Sequence, residues 1–116
     1  MVQLDTFTIS LLYLRPDGPQ LDEATLAELQ DAHMAHNADM HDAGHLLIAG
    51  PVLGPELRGL SIYRATPDEA RAYGEANPSV RAGRHRVEVF PWLVPARGLT
   101  FNRTRFPRSV AEVEET

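Results

Sequence analysis

The sequence predicts an α+β domain in which two helices cover one face of a four-stranded antiparallel sheet. Three observations predict it. Hydrophobic residues recur with period two in four segments and with period 3.6 in two others. These segments follow the order β-α-β-β-α-β, and turn or capping chemistry separates them. The 116 residues suit one domain with a modest core. That order is the ferredoxin-like arrangement.

The first strand is expected over residues 4–14, where Phe7, Ile9, Leu11 and Tyr13 alternate with Thr6, Thr8 and Ser10. A Pro-Asp-Gly turn at 16–18 ends it. Asp22 then reads as the N-cap of a helix running to about Ala43, with Gly44 as its stop. One stripe of that helix carries Leu26, Leu29, His33, His36 and Met40, and it is the face expected to be buried. His41 falls on a flank and His45 lies past the stop. Residues 45–50 read as the second strand, closed by Gly50-Pro51, and residues 59–65 as the third. Thr66-Pro67-Asp68-Glu69 combines an N-cap, an N1 proline and an N3 glutamate, so a short helix is expected to about Ala76. Residues 80–83 read as loop and 84–94 as the fourth strand, with Pro91 pointing to an edge position or a bulge. Residues 96–116 read as an extended C-terminal extension beyond a domain of residues 1–95. Leu99, Phe101 and Phe106 are its docking residues, Glu112, Glu114 and Glu115 make an acidic end, and a partner subunit is the expected docking surface.

With both helices on one side, the opposite sheet face needs its own cover. Alternation assigns Thr8, Ser10, Tyr63, Glu88 and Trp92 to that uncovered face, which is too aromatic for open water. A second copy of the chain is the expected cover, giving a homodimer.

Composition narrows the partners. The net charge is −5, which argues against nucleic acid and anionic membrane surfaces. There is no cysteine, so thiolate metal sites and disulfides are excluded. No apolar run reaches membrane-spanning length and no signal peptide is recognisable, so a cytoplasmic location is expected. All eleven basic residues are Arg, which with the abundant Ala fits a GC-rich bacterial genome.

The order of several short features resembles the YciI-like (YCII-related) domain family. A helix histidine, His33, is followed by Gly44, the apolar run Leu46-Leu47-Ile48-Ala49 and Gly50-Pro51. Later come Gly59 opening a strand, a Pro-Asp-Glu-Ala helix, Asn77-Pro78, Ala82-Gly83 and a strand with Phe90-Pro91-Trp92. The resemblance covers roughly residues 6–93. It implies a dimeric α+β barrel and a site that pairs a helix histidine with the aspartate of an Asp-Pro dipeptide. His33 matches the histidine, whereas Asn77 stands where the aspartate is expected. An asparagine can orient an imidazole but cannot stabilise an imidazolium as a carboxylate does.

These residues define the candidate chemistry. His33 is the expected general acid/base, with Asn77 orienting it, and a neutral imidazole there is expected to act first as a base. The competing reading of His33 is a core histidine with a satisfied hydrogen bond. His36, Tyr63, Glu88 and Trp92 are the candidate substrate-binding residues, and the same aromatic residues would serve a dimer interface equally well. No metal is expected: His33 and His36 lie one turn apart, but a zinc site needs a third ligand, Asp39 and His41 point elsewhere, and the remaining candidates, His85 or Glu88, would have to come from a strand or a dimer partner. No cofactor is expected either, since no phosphate loop or dinucleotide fingerprint is present. Three functions fit this pattern. One is a cofactor-independent lyase or isomerase acting on a small cyclic or aromatic molecule by isomerisation, elimination or dehydration. Another is a non-catalytic ligand-binding or accessory dimer. The third is a monooxygenase-like barrel.

Overall fold

The structure is a computed structural model, and it describes residues 1–113. The expected acidic end at Glu114 and Glu115 therefore falls outside the described residues. The chain forms β1 (Leu4–Leu14), α1 (Glu23–Asp42), β2 (Leu46–Pro51), β3 (Leu57–Tyr63), α2 (Pro67–Glu75), α3 (Pro78–Arg81) and β4 (His85–Pro95). A 3-10 turn follows at Val110–Glu112. The sheet is antiparallel throughout, in the order β2-β3-β1-β4. This is the ferredoxin-like α+β arrangement, and β4 with its Pro91 lies at an edge.

Capping explains where the helices begin and end. The Asp22 carboxylate accepts the Thr25 N–H at 2.7 Å and opens α1. Gly44 follows that helix with a φ of 87°, a left-handed conformation that glycine adopts at no steric cost. At α2 the Thr66 and Glu69 side chains each bond the other's backbone N–H, a complete capping box. α3 overlaps the first half of the segment 80–83 expected as loop. Asn77 caps it and Pro78 occupies N1, so the Asn-Pro pair read as a stop is also a start.

The register corrects the expected sheet faces. Thr8 pairs with Tyr63 and Pro91, and Ser10 with Ser61 and Val89. Leu46, Tyr63, Ala70 and Val89 form one core cluster, joined by Met40 of α1 and Tyr73 of α2. The face bearing Thr8, Ser10 and Tyr63 is therefore the helix-covered one. Glu88 and Trp92, in register with Leu11 and Phe7, belong to the other face with Ile9, Leu60, Ile62 and Phe90. The uncovered face is thus the apolar side of β1 and β3, and it leaves Leu60, Phe90 and Trp92 exposed.

The tail beyond Pro95 runs over its own chain. Phe101 meets Phe7 edge-on with ring centroids 5.3 Å apart, and Phe106 stacks on His41 at 4.2 Å. The Thr104 N–H donates to His41 Nε2 at 3.1 Å, and Arg108 bridges Asp39 and Asp42 of α1. A partner subunit was the expected surface because Phe101 and Phe106 had no place in the four-strand core. Both have places on this chain.

Candidate active site

Between α1 and the helix-facing side of the sheet lies a cavity of about 580 Å³, within the range that takes a small organic molecule. Its formation follows from small and polar residues where a core would place large ones. Ser10, Ser61, Gly59 and Ala49 occupy the sheet floor beneath it, and Gly74 lets α2 approach β4. A Cβ at Gly74 would come within 3.0 Å of the Val87 side chain. Leu12, Met34, Val52 and Val87 supply apolar walls. Phe106, Pro107, Val110 and Val113 of the tail complete the rim.

His33 lines this cavity. Its Nδ1 lies 2.8 Å from Asn77 Nδ2 and 3.0 Å from Asn77 Oδ1. The surroundings of Asn77 decide which contact is the hydrogen bond. Asn77 Oδ1 accepts both the backbone N–H and the hydroxyl of Ser79, each at 3.0 Å. A flipped amide would set its NH2 against the Ser79 N–H, two donors face to face, so Oδ1 is fixed in place. The Asn77 Nδ2 is then the free donor of a residue only 5% exposed, and His33 Nδ1 is the acceptor in reach. A neutral imidazole that accepts at Nδ1 carries its proton on Nε2. In that tautomer His33 offers an N–H donor at Nε2, whereas beginning as a base there would need the proton on Nδ1. A carboxylate at position 77 would impose the opposite tautomer by accepting an Nδ1 proton. Burial lowers the His33 pKa, and nearby His36 lowers it further.

His85 shares the cavity, its ring centroid 6.4 Å from that of His33. Sequence reasoning mentioned it only as a distant metal candidate. It is 6% exposed, and its Nδ1 is buried with no partner among the described residues. Burial, with Arg84, His33 and Arg58 nearby, pulls its pKa down to about 4, so it is neutral at pH 7. Tyr63 lines the cavity as a neutral phenol whose pKa burial pushes up to about 12.

The other candidates lie elsewhere. His36 is one turn from His33, but its Nε2 lies 3.0 Å from the Tyr73 carbonyl of α2, which accepts its proton, and it does not line the cavity. Glu88 pairs with Arg86 at 2.9 Å on the opposite sheet face, where Trp92 also lies. The cavity thus gathers His33, Asn77 and Tyr63 but neither Glu88 nor Trp92. His41, expected on a flank, is 5% exposed. It accepts the Thr104 N–H at Nε2, so Nδ1 carries the proton and donates to the Leu46 carbonyl at 2.7 Å. A histidine five residues before the strand it bonds carries no periodic signal, and its tail partner is remote in sequence. Among the described residues no cluster of three or more His, Asp or Glu side chains is placed to hold a metal ion.

Fold and site together define a small α+β domain with a histidine at a helix-covered, ligand-sized cavity. The YCII-related domain model matches residues 9–93, and the chain belongs to that family. No curated protein matches the sequence. Among solved structures, the chain is similar to 5-chloro-2-hydroxyhydroquinone dehydrochlorinase from Burkholderia phenoliruptrix AC1100, in complex with 2,5-dihydroxybenzoquinone. The TM-score is 0.53 and the identity 19%, over 74% of this chain and 92% of that one. At that identity the likeness bears on the fold.

Proposed function

We propose that this protein is a small-molecule enzyme that moves protons at His33 during isomerisation, elimination or dehydration of a cyclic or aromatic substrate. The observation that carries this reading is the His33 imidazole in the cavity wall, held at Nδ1 by a buried asparagine that Ser79 locks in turn. A ring fixed at one nitrogen presents the other in a set direction, which is the pre-organisation proton chemistry requires. The apolar walls and the neutral Tyr63 phenol suit an aromatic or cyclic body. The solved relative is named for removing chloride from a hydroxylated aromatic ring, a reaction of this class.

In the resting tautomer His33 donates an Nε2–H hydrogen bond to a substrate carbonyl oxygen, stabilising the oxyanion that forms as a neighbouring C–H proton passes to solvent water. Starting instead as a base would require the proton to move to Nδ1, at the cost of the bond from Asn77. That cost favours the second reading, a ligand-binding dimer without turnover, because Asn77 cannot stabilise an imidazolium. In either reading we propose a homodimer through the apolar sheet face of Ile9, Leu60, Phe90 and Trp92, because that face leaves three large apolar side chains exposed side by side in the single chain.

The test is a panel of chlorinated hydroquinones and cyclic hydroxyketones followed by proton NMR, with 2,5-dihydroxybenzoquinone as a binding probe. Wild type should convert at least one panel member. His33→Ala should lose about 100-fold or more in rate while binding the probe within a few fold. Equal turnover in His33→Ala would remove His33 from the chemistry. Saturable probe binding with no turnover by wild type would support the binding-module reading.

A further inference from the structure

The charges around the cavity run against those of the whole chain. The protein carries a net charge of −5. Yet no Asp or Glu lines the cavity among the described residues, while Arg58 and Arg84 both do. Both residues are half-buried, and neither is ion-paired with a described carboxylate. The only side-chain bond of either among the described residues is from Arg58 Nε to the Pro55 carbonyl at 3.2 Å, which leaves the outer fork of that guanidinium unengaged. Arg64, Arg71, Arg81, Arg97 and Arg103 are likewise without an ion pair among the described residues, so it is their place in the cavity wall that marks Arg58 and Arg84; four others differ from them in pairing as well. Arg15, Arg86, Arg105 and Arg108 each hold a carboxylate at 2.9 to 3.2 Å on the open surface.

The two arginines flank the same end of β1: Arg58 follows Leu57, which pairs with Tyr13, and Arg84 precedes His85, which pairs with Leu14. Arg58 is near the start of β3, and Arg84 immediately precedes β4. The His85 ring, next in sequence to Arg84, lies 6.4 Å from that of His33, and Arg84 and Arg58 both disfavour its protonation. This end of the cavity also holds the His85 Nδ1, the one buried side-chain nitrogen or oxygen without a partner among the described residues. It therefore combines two unpaired cations, a neutral imidazole and, on the reasoning above, an Nε2–H donor on His33. Every charged group there is positive, and donors predominate.

We propose that Arg58 and Arg84 form a carboxylate-binding subsite, so that the substrate is a small cyclic or aromatic carboxylate. The planar guanidinium fork matches a carboxylate in two parallel hydrogen bonds, and a partly desolvated pair strengthens them. A carboxylate seated there places the rest of the molecule among Leu12, Met34 and Val52, within reach of His33. Arg58 and Arg84 are substrate-binding residues in this scheme and take no part in proton transfer. The proposal rests on the cavity being the ligand site and adds the charge of what enters it.

Benzoate and benzamide make the test, being nearly the same shape and differing in charge. Each is titrated into the full chain while the His33 and His85 ring resonances are followed by nitrogen-15 NMR. Benzoate should shift both rings and bind about tenfold or more tighter than benzamide. Arg58→Gln and Arg84→Gln should each remove most of that preference without changing benzamide binding. Arg58→Lys should keep part of it, because the charge remains while the fork is lost. Amide spectra matching wild type show that the variants are folded. Equal binding of the two probes, or a benzoate preference that survives both Gln variants, overturns the subsite while leaving the cavity as a ligand site. If neither probe moves the His33 ring, the cavity reading fails and the subsite fails with it.

Discussion

At the residue scale, two neutral histidines share a cavity wall, and folding makes both less basic. His85 falls from 6.5 to about 4, through burial first and then Arg84, His33 and Arg58. His33 is lowered through burial first, with His36 adding to the effect. The unfolded chain therefore binds more protons than the native one as pH falls below about 6.5. Stability from these groups is fully present above that pH and is lost as pH drops toward 4. Between pH 7 and pH 5 the loss should be about 1–2 kcal/mol. Urea denaturation at the two pH values measures it, and His85→Gln, which cannot titrate, should reduce the difference. An unchanged difference in that variant would mean that His85 is not the buried group responsible. Periodicity put His33 mid-stripe on α1 and the family resemblance pointed to Asn77, and the two side chains do meet. Neither could find the His33 tautomer, which depends on Ser79 donating twice to Asn77 Oδ1.

At the scale of elements, caps and turns were legible because they are local. Asp22, Gly44 and the Thr66 capping box stand where the sequence placed them. The sheet faces were misassigned because the cavity inverts the usual pattern. β1 turns Thr8 and Ser10 toward the helices and Phe7 and Ile9 away, so polarity alone selects the wrong side. The tail is the other element whose place was not local. Phe101, Phe106 and the Thr104–His41 bond hold it to its own chain, and Phe106 to Val113 finish the cavity rim. Truncation after Pro95 should lower stability by roughly 2–4 kcal/mol, mainly from two partly buried Phe side chains. It should also weaken 2,5-dihydroxybenzoquinone binding about tenfold. Thermal melts and a probe titration check both. Unchanged probe affinity would show that the tail is not part of the site. A shift in dimerisation would show that the tail also reaches a partner subunit.

At the scale of the whole molecule, the fold leaves one broad apolar surface. Leu60, Phe90 and Trp92 are 38%, 46% and 38% exposed in the single chain. Covering them with a second copy buries the apolar side of β1 and β3, while the polar side floors the cavity under the helices. We expect light scattering at micromolar concentration to give twice the 12.9 kDa chain mass. Trp92→Glu should shift that toward the monomer, with the amide spectrum still dispersed. A wild-type monomer would leave the face unexplained by self-association. Fold class was readable because element order and chain length admit few arrangements. Occupants of the cavity were not, since they depend on which side chains line a void.

The central claim is that Asn77 donates to His33 Nδ1 and so presents Nε2–H to the substrate. Ring nitrogen-15 shifts of His33, in wild type and Asn77→Asp across pH 4 to 9, test it most directly. The account predicts a neutral wild-type ring with its proton on Nε2 and an apparent pKa below the ordinary 6.5. In Asn77→Asp the neutral ring should move its proton to Nδ1, and the pKa should rise by about one unit or more as the carboxylate favours the imidazolium. A wild-type ring protonated at Nδ1, or a pKa that does not move in Asn77→Asp, would contradict it.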